Sequence, residues 1–104
     1  MPGELTATDP LGNTVYLLPG VYVAGNKAED VYDDVTMVIK RPAALIELQE
    51  QNQTQYYYFR SVGWNKALLI TTRFNNDRWE AFRLVENPSA DMMSAILKKG
   101  KQLI

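Results

Sequence analysis

The chain of 104 residues contains neither cysteine nor histidine. Without cysteine it forms no disulfide, ligates no zinc or iron–sulfur cluster through sulfur, and has no thiol nucleophile. Without histidine it lacks the commonest general base and the commonest zinc ligand. We expect neither a metal site nor a cofactor.

Long apolar runs are also missing from the sequence. No stretch approaches the roughly 18 apolar residues of a membrane helix, and no charged-then-apolar signal peptide opens the chain. The composition, 46% hydrophobic and 22% charged, is that of an ordinary globular protein. We therefore expect a cytoplasmic protein without membrane contact, folded as a single domain over residues 1–104.

The formal net charge of -1 is unevenly distributed along the chain. Residues 1–55 carry three Lys or Arg against eight Asp or Glu, whereas residues 56–104 carry eight against four. A basic half can indicate an anionic partner such as RNA. The plainer alternative is that the two halves attract each other within one fold.

Two helices are predicted from apolar residues at helical spacing. The first begins with a capping-box pattern at Asn26 and ends at Arg41, because Pro42 disfavours helical geometry in the residue before it. Its apolar stripe comprises Val31, Val35, Val38 and Ile39. The second begins with Ser89 as N-cap and ends before Gly100.

The remaining segments read as strands. A turn at "DPLGN" joins Glu4–Thr8 to Thr14–Leu18 in an N-terminal hairpin. Four further strands are predicted at Ala44–Gln49, Gln55–Val62, Lys66–Phe74 and Arg78–Val85. Their short connections allow only antiparallel neighbours. We therefore predict an α+β fold: a four-stranded antiparallel meander after an N-terminal hairpin and helix, with the C-terminal helix packed on the same face.

Side chains alternate across a strand, so each strand can be sorted into two faces. Tyr57 and Phe59 suit a core with Ile70 and Phe82. The opposite, open face is then predicted to display Glu47, Tyr56, Tyr58, Arg60, Thr71, Arg73, Trp79 and Arg83. Arginine forks match phosphate oxygens and aromatic rings stack on bases, so this face is predicted to bind RNA.

Within this face we predict Glu47, Arg60 and Arg73 as catalytic residues. Glu47 would be the general base for a ribose 2′-hydroxyl, and arginine would stabilise the charged transition state. The predicted RNA-binding residues are Tyr56, Tyr58, Trp79 and Arg83. In the alternative interpretation Glu47 pairs with one arginine, and the tyrosines pack against a second copy of the chain in a homodimer.

Several stretches resemble small nucleases of the barnase–EndoU–colicin–RelE type, in particular phage-associated and bacterial members. These stretches are "DPLGNTVYL", the acidic helix leading into "IKRP", "YYYF", "NNDRWEAFR" and "ILKKGKQLI". The likeness spans roughly residues 9–104 and depends on spacing and character more than on an invariant signature. It implies metal-independent RNA cleavage by residues on the open face of the sheet, where members of the group use Arg, Lys, Tyr or Glu.

The chain departs from this group in its histidines. Phage-type members carry a histidine near the end of the second strand and often "HPE" at the first helix, where this chain reads "PGVYVAG" and "GNKAED". A member without the imidazole either uses another base or is inactive. The sequence therefore predicts an RNase-like or RNA-binding domain, with a catalytically inactive protein-interaction module as the alternative.

Overall fold

The computed structural model describes residues 5–18 and 28–104, which form two helices and seven strands. In chain order these are β1 (Thr6–Thr8), β2 (Thr14–Leu17), α1 (Ala28–Lys40), β3 (Ala44–Glu50), β4 (Gln53–Gly63), β5 (Lys66–Asn75), β6 (Arg78–Glu86), α2 (Ala90–Lys99) and β7 (Lys101–Gln102). The predicted cap at Asn26 and the side chain of Val31 lie outside the described part of the chain. No helix in that part is long and apolar enough to cross a membrane.

The strands form one sheet in the order β1-β2-β6-β5-β4-β3-β7. Strands β3 to β6 pair antiparallel in sequence order, which confirms the predicted meander and the α+β class. The sheet is larger than predicted, because the N-terminal hairpin joins it through β2, which lies parallel to β6. At the other edge β7 pairs with β3.

The two helices pack on opposite faces of the sheet, so the prediction that they share one face is wrong. Val35, Val38 and Ile39 of α1 belong to a core on one side, whereas Ile96 of α2 belongs to a core on the other. The cause is a pair of strands that are apolar at consecutive positions: Leu45 and Ile46 in β3, and Leu69 and Ile70 in β5. Such strands expose apolar side chains on both faces, and each face needs its own cover.

A β-bulge in β6 changes the alternation that the sequence suggests. Thr71 lies opposite Arg83 but Thr72 lies opposite Ala81, so Phe82 is an extra residue without a partner in β5. Trp79 and Ala81 consequently belong to the α1 side of the sheet, and Arg83 belongs to the α2 side. The prediction that Trp79 and Arg83 share a face is therefore wrong.

The ends of α2 follow the sequence prediction, although Gly100 is needed for an unexpected reason. The Ser89 hydroxyl accepts a hydrogen bond from the Met92 amide at 3.1 Å, as an N-cap does. Gly100 has a φ of -96°, which any residue can adopt. A Cβ at this position would collide with the Ile46 side chain and lie 2.9 Å from the Glu47 carbonyl oxygen. The glycine lets the chain pass directly over β3 before it pairs as β7.

We expect Gly100→Ala to lower the free energy of unfolding by about 1–3 kcal/mol, because the added methyl group overpacks the contact with β3. Urea denaturation monitored by tryptophan fluorescence measures this change. Gly63→Ala is the matched control, because a Cβ at Gly63 has no atom within 4 Å. An equal loss of stability in the two variants would contradict this account of Gly100.

Candidate functional site

The predicted catalytic and RNA-binding residues do not lie on one face. Glu47, Tyr56, Tyr58, Arg60 and Trp79 lie on the α1 side, in strand positions aligned with the core beneath that helix. On the α2 side lie Thr71, Arg73 and Arg83. The predicted common face is therefore wrong, because Tyr58 lies opposite Ile70 and the bulge at Phe82 shifts the end of β6.

Glu47 has a tyrosine rather than an arginine as its partner. The Tyr56 hydroxyl donates a hydrogen bond to Glu47 Oε2 at 3.1 Å. The Arg60 guanidinium donates to the Arg41 carbonyl oxygen at 2.7 Å, near the end of α1. Arg60 is four residues from Tyr56 along β4, a separation of about 13 Å in a strand. The structure does not bring Glu47, Arg60 and Arg73 together as a catalytic group.

Tyr58 is enclosed in the core and holds the N-terminal turn in place. Its side chain is 0% exposed, and its hydroxyl donates to Asp9 Oδ2 at 2.6 Å. The Asp9 carboxylate, itself buried, also accepts the backbone amides of Leu11 at 3.0 Å and Asn13 at 2.7 Å, which fixes the "DPLGN" turn. Tyr58 is thus closed to a ligand. Sequence reasoning missed Asp9, although an aspartate opening a turn is a usual acceptor for such amides.

Burial raises the pKa of the Tyr58 hydroxyl well above its usual 10.0, and the hydrogen bond from Tyr58 to Asp9 and the Asp9 charge raise it further. The folded protein therefore retains this proton at alkaline pH, where the unfolded chain releases it. The folded state then binds more protons than the unfolded state. The contribution of Tyr58 to the free energy of unfolding is therefore fully present below pH 10 and declines as the pH rises above it.

We expect the free energy of unfolding to fall above about pH 10, by as much as about 1.4 kcal/mol per pH unit from Tyr58 alone. Tyr58→Phe should be less stable at neutral pH and should show a shallower fall, with Tyr56 and Tyr57 contributing the remainder because burial also raises their pKa. Urea denaturation at a series of alkaline pH values measures both effects. An unchanged slope in Tyr58→Phe would contradict this account.

The α2 side of the sheet changes from apolar to polar along the strands. Val85, Leu69 and Phe59 lie in one row across β6, β5 and β4, and α2 packs over them. The next row toward the other end contains Arg83, Thr71, Tyr57 and Ile46. The row after that contains Tyr16, Glu80, Arg73, Gln55 and Leu48. Polarity thus increases with distance from the apolar row beneath α2.

This polar region contains a compact group of arginines and aromatic rings, which we call the arginine surface. Its members are Tyr16, Arg73, Arg78, Glu80, Phe82 and Arg83. The Arg73 guanidinium carbon lies 4.4 Å from the Phe82 ring centre, and that of Arg78 lies 4.4 Å from the Tyr16 ring centre. Both distances are within the range of cation–π interactions, so each ring supports one cation.

The carboxylate of Glu80 neutralises part of the positive charge of the arginine surface. Its side chain is buried, and its carboxylate accepts hydrogen bonds from Arg78 Nε at 2.8 Å and Asn75 Nδ2 at 3.1 Å. The hydrogen bond from Arg78, followed by that from Asn75, lowers the pKa of Glu80 and keeps it ionised. Arg73 Nε, in contrast, is buried without a hydrogen-bond partner among the described residues. Glu80 is thus paired with Arg78, and the arginine surface carries two further cations, Arg73 and Arg83.

Sequence reasoning included Arg73 and Arg83 in its predicted site but missed Tyr16, Arg78 and Phe82. Arg78 and Glu80 are two residues apart in a strand, so the sequence alone predicts that they lie on one face and can pair. The position of Phe82 was not, because the bulge follows from pairing with β5. No group of three or more acidic side chains within residues 5–18 and 28–104 could hold a metal ion.

Comparisons of the chain with protein-family models, with curated proteins and with solved structures found no match. The resemblance to barnase–EndoU–colicin–RelE nucleases therefore stays a prediction from the sequence.

Proposed function

We propose that the protein binds single-stranded RNA through the arginine surface. The observation that carries this proposal is the pair of guanidinium groups supported by aromatic rings, Arg73 on Phe82 and Arg78 on Tyr16. An aromatic ring beneath a guanidinium orients its N–H groups sideways. Because Arg78 Nε donates to Glu80 and Arg73 Nε is buried, a bond to a phosphate oxygen would come from a terminal nitrogen of either group. Arg83, which is exposed, adds a third cation two strand positions beyond Glu80 once the bulge is allowed for.

The shape of the surface favours single strands over duplexes. Proteins that recognise a DNA sequence insert a helix or a two-stranded β-ribbon into a groove of the duplex, whereas the arginine surface lies on the face of a sheet. Single-stranded RNA can lie on such a face, with phosphates on the cations and bases stacked on guanidinium planes. The proposal concerns binding, and because Glu47 lies on the other face, cleavage by Glu47 with Arg73 is not part of it.

A protein-binding module is the second candidate, and Trp64 is the observation that favours it. This residue occupies the turn between β4 and β5 and is 92% exposed. Tryptophan is enriched among the residues that contribute most to protein interfaces. A partner packed on Trp64 would be held mainly by apolar contact, so its affinity would change little with salt, unlike that of RNA.

We expect a short fluorescently labelled RNA to bind in an anisotropy assay, with an affinity that falls steeply between low and moderate salt. Arg73→Ala and Arg83→Ala should each weaken binding about tenfold, since each removes a charge-assisted hydrogen bond to phosphate. Each should also reduce the slope of log K against log salt by about 0.7.

Arg60→Ala is the matched control, because it removes the same side chain from the opposite face. We expect it to bind RNA as the unsubstituted protein does. No binding at low salt, or an equal loss in Arg60→Ala, would contradict the proposal. A gel of the RNA after incubation should show it intact. Cleavage that is lost in Glu47→Gln would instead support the catalytic role predicted for Glu47.

A further inference from the structure

A small pocket lies between α2 and the sheet, where the arginine surface meets the helix. Its volume is about 240 Å³. Its walls are mainly apolar and come from Leu69, Val85, Met92 and Ile96. Ala95 of α2 also lines it, and its polar groups are Tyr57, Thr71 and Arg83. The lining of the pocket thus combines apolar side chains with two hydroxyl-bearing residues and one arginine.

Arg83 belongs to both the pocket and the arginine surface. It lies opposite Thr71, in the row next to that of Arg73 and Glu80. A strand of RNA crossing the arginine surface would therefore reach the pocket within one nucleotide. We propose that the pocket receives one base of the bound RNA, with the adjoining phosphate on Arg83. This inference rests on the proposed function and specifies how that function would recognise a base.

The size of the pocket limits what it can hold. Sites for drug-sized ligands and cofactors range from about 300 to 1,000 Å³, so a volume of about 240 Å³ admits a single ring system and no dinucleotide. A nucleobase has two apolar faces and a polar edge. Met92 provides a polarisable thioether for a ring, and the hydroxyls of Tyr57 and Thr71 can meet the edge. Tyr57 Oη donates to Gln55 Oε1 at 3.0 Å and so retains its acceptor capacity.

The experiment combines a pocket-filling substitution with removal of the bases. Ala95→Leu places a larger side chain in the pocket at an exposed position of α2, and leucine is a good helix former. Its matched control is Ala90→Leu, the same change at an exposed position of α2 away from the pocket. Each protein is titrated with an RNA oligomer and with an abasic ribose-phosphate oligomer of equal length.

We expect the unsubstituted protein and Ala90→Leu to bind the RNA about 5- to 150-fold more tightly than the abasic oligomer, the range for stacking of one base. Ala95→Leu should retain its affinity for the abasic oligomer and lose most of its preference for the RNA. The coupling between the two changes measures the contribution of the pocket. If base removal weakens binding equally in Ala95→Leu and Ala90→Leu, the pocket inference is overturned, and Arg73-dependent binding still supports the arginine surface.

Binding of a nucleoside 5′-monophosphate tests whether the pocket accepts a base, independently of RNA binding at the arginine surface. In methyl NMR spectra it should shift the Met92 and Val85 signals of the unsubstituted protein and leave those of Ala95→Leu unchanged. Absence of this shift at millimolar nucleotide would overturn the pocket inference. Loss of RNA binding in Arg73→Ala together with a shift at Met92 would support both the surface and the pocket.

Discussion

The extra residue in β6 determines which side chains meet on each side of this sheet. Before Phe82 the strand contributes Ala81 to the core under α1, and after it Arg83 lies on the side of α2. The bulge also brings the Phe82 ring beneath Arg73. Bulges commonly redirect a side chain near a functional site. Here one inserted position brings Phe82 to Arg73 and places Arg83 on the side of α2.

The two helices cover unequal parts of the sheet, and this leaves room for a polar surface. A helix of ten residues is about 15 Å long, whereas seven strands span roughly 30 Å. The residues of α2 therefore cover only the apolar rows near Leu69 and Val85. Two rows further along the strands lies buried Glu80 with its partner Arg78, and an apolar helix over this ion pair would remove the Arg78 charge from water. The position of the candidate site follows from where the apolar residues end.

Local features of the fold were predictable, and features that depend on pairing were not. Strand limits followed from alternation and from turns such as Asn76-Asp77, where both residues have positive φ angles. The Ser89 cap followed from residue type. The face of the sheet on which each side chain lies depends on register, and one extra residue moves the following side chains to the opposite face. The contact of Asp9 with Tyr58, 49 positions apart, and the parallel pairing of β2 likewise depend on the folded chain. The predicted site failed as a group for this reason, although Arg73 and Arg83 remain neighbours.

The parallel pairing of β2 has a consequence for synthesis on the ribosome. Val15 lies opposite Trp79, 64 positions later, so the hairpin emerges long before its neighbour in the sheet exists. At about 5–20 residues per second this interval is roughly 3–13 s. During it Val15 and Leu17 lack their neighbouring strand β6, and the Asp9 carboxylate lacks its tyrosine until Tyr58 is made. The strands β1 and β2 therefore complete their place in the sheet only after β6 is made, although they are synthesised before every other strand in the described part of the chain.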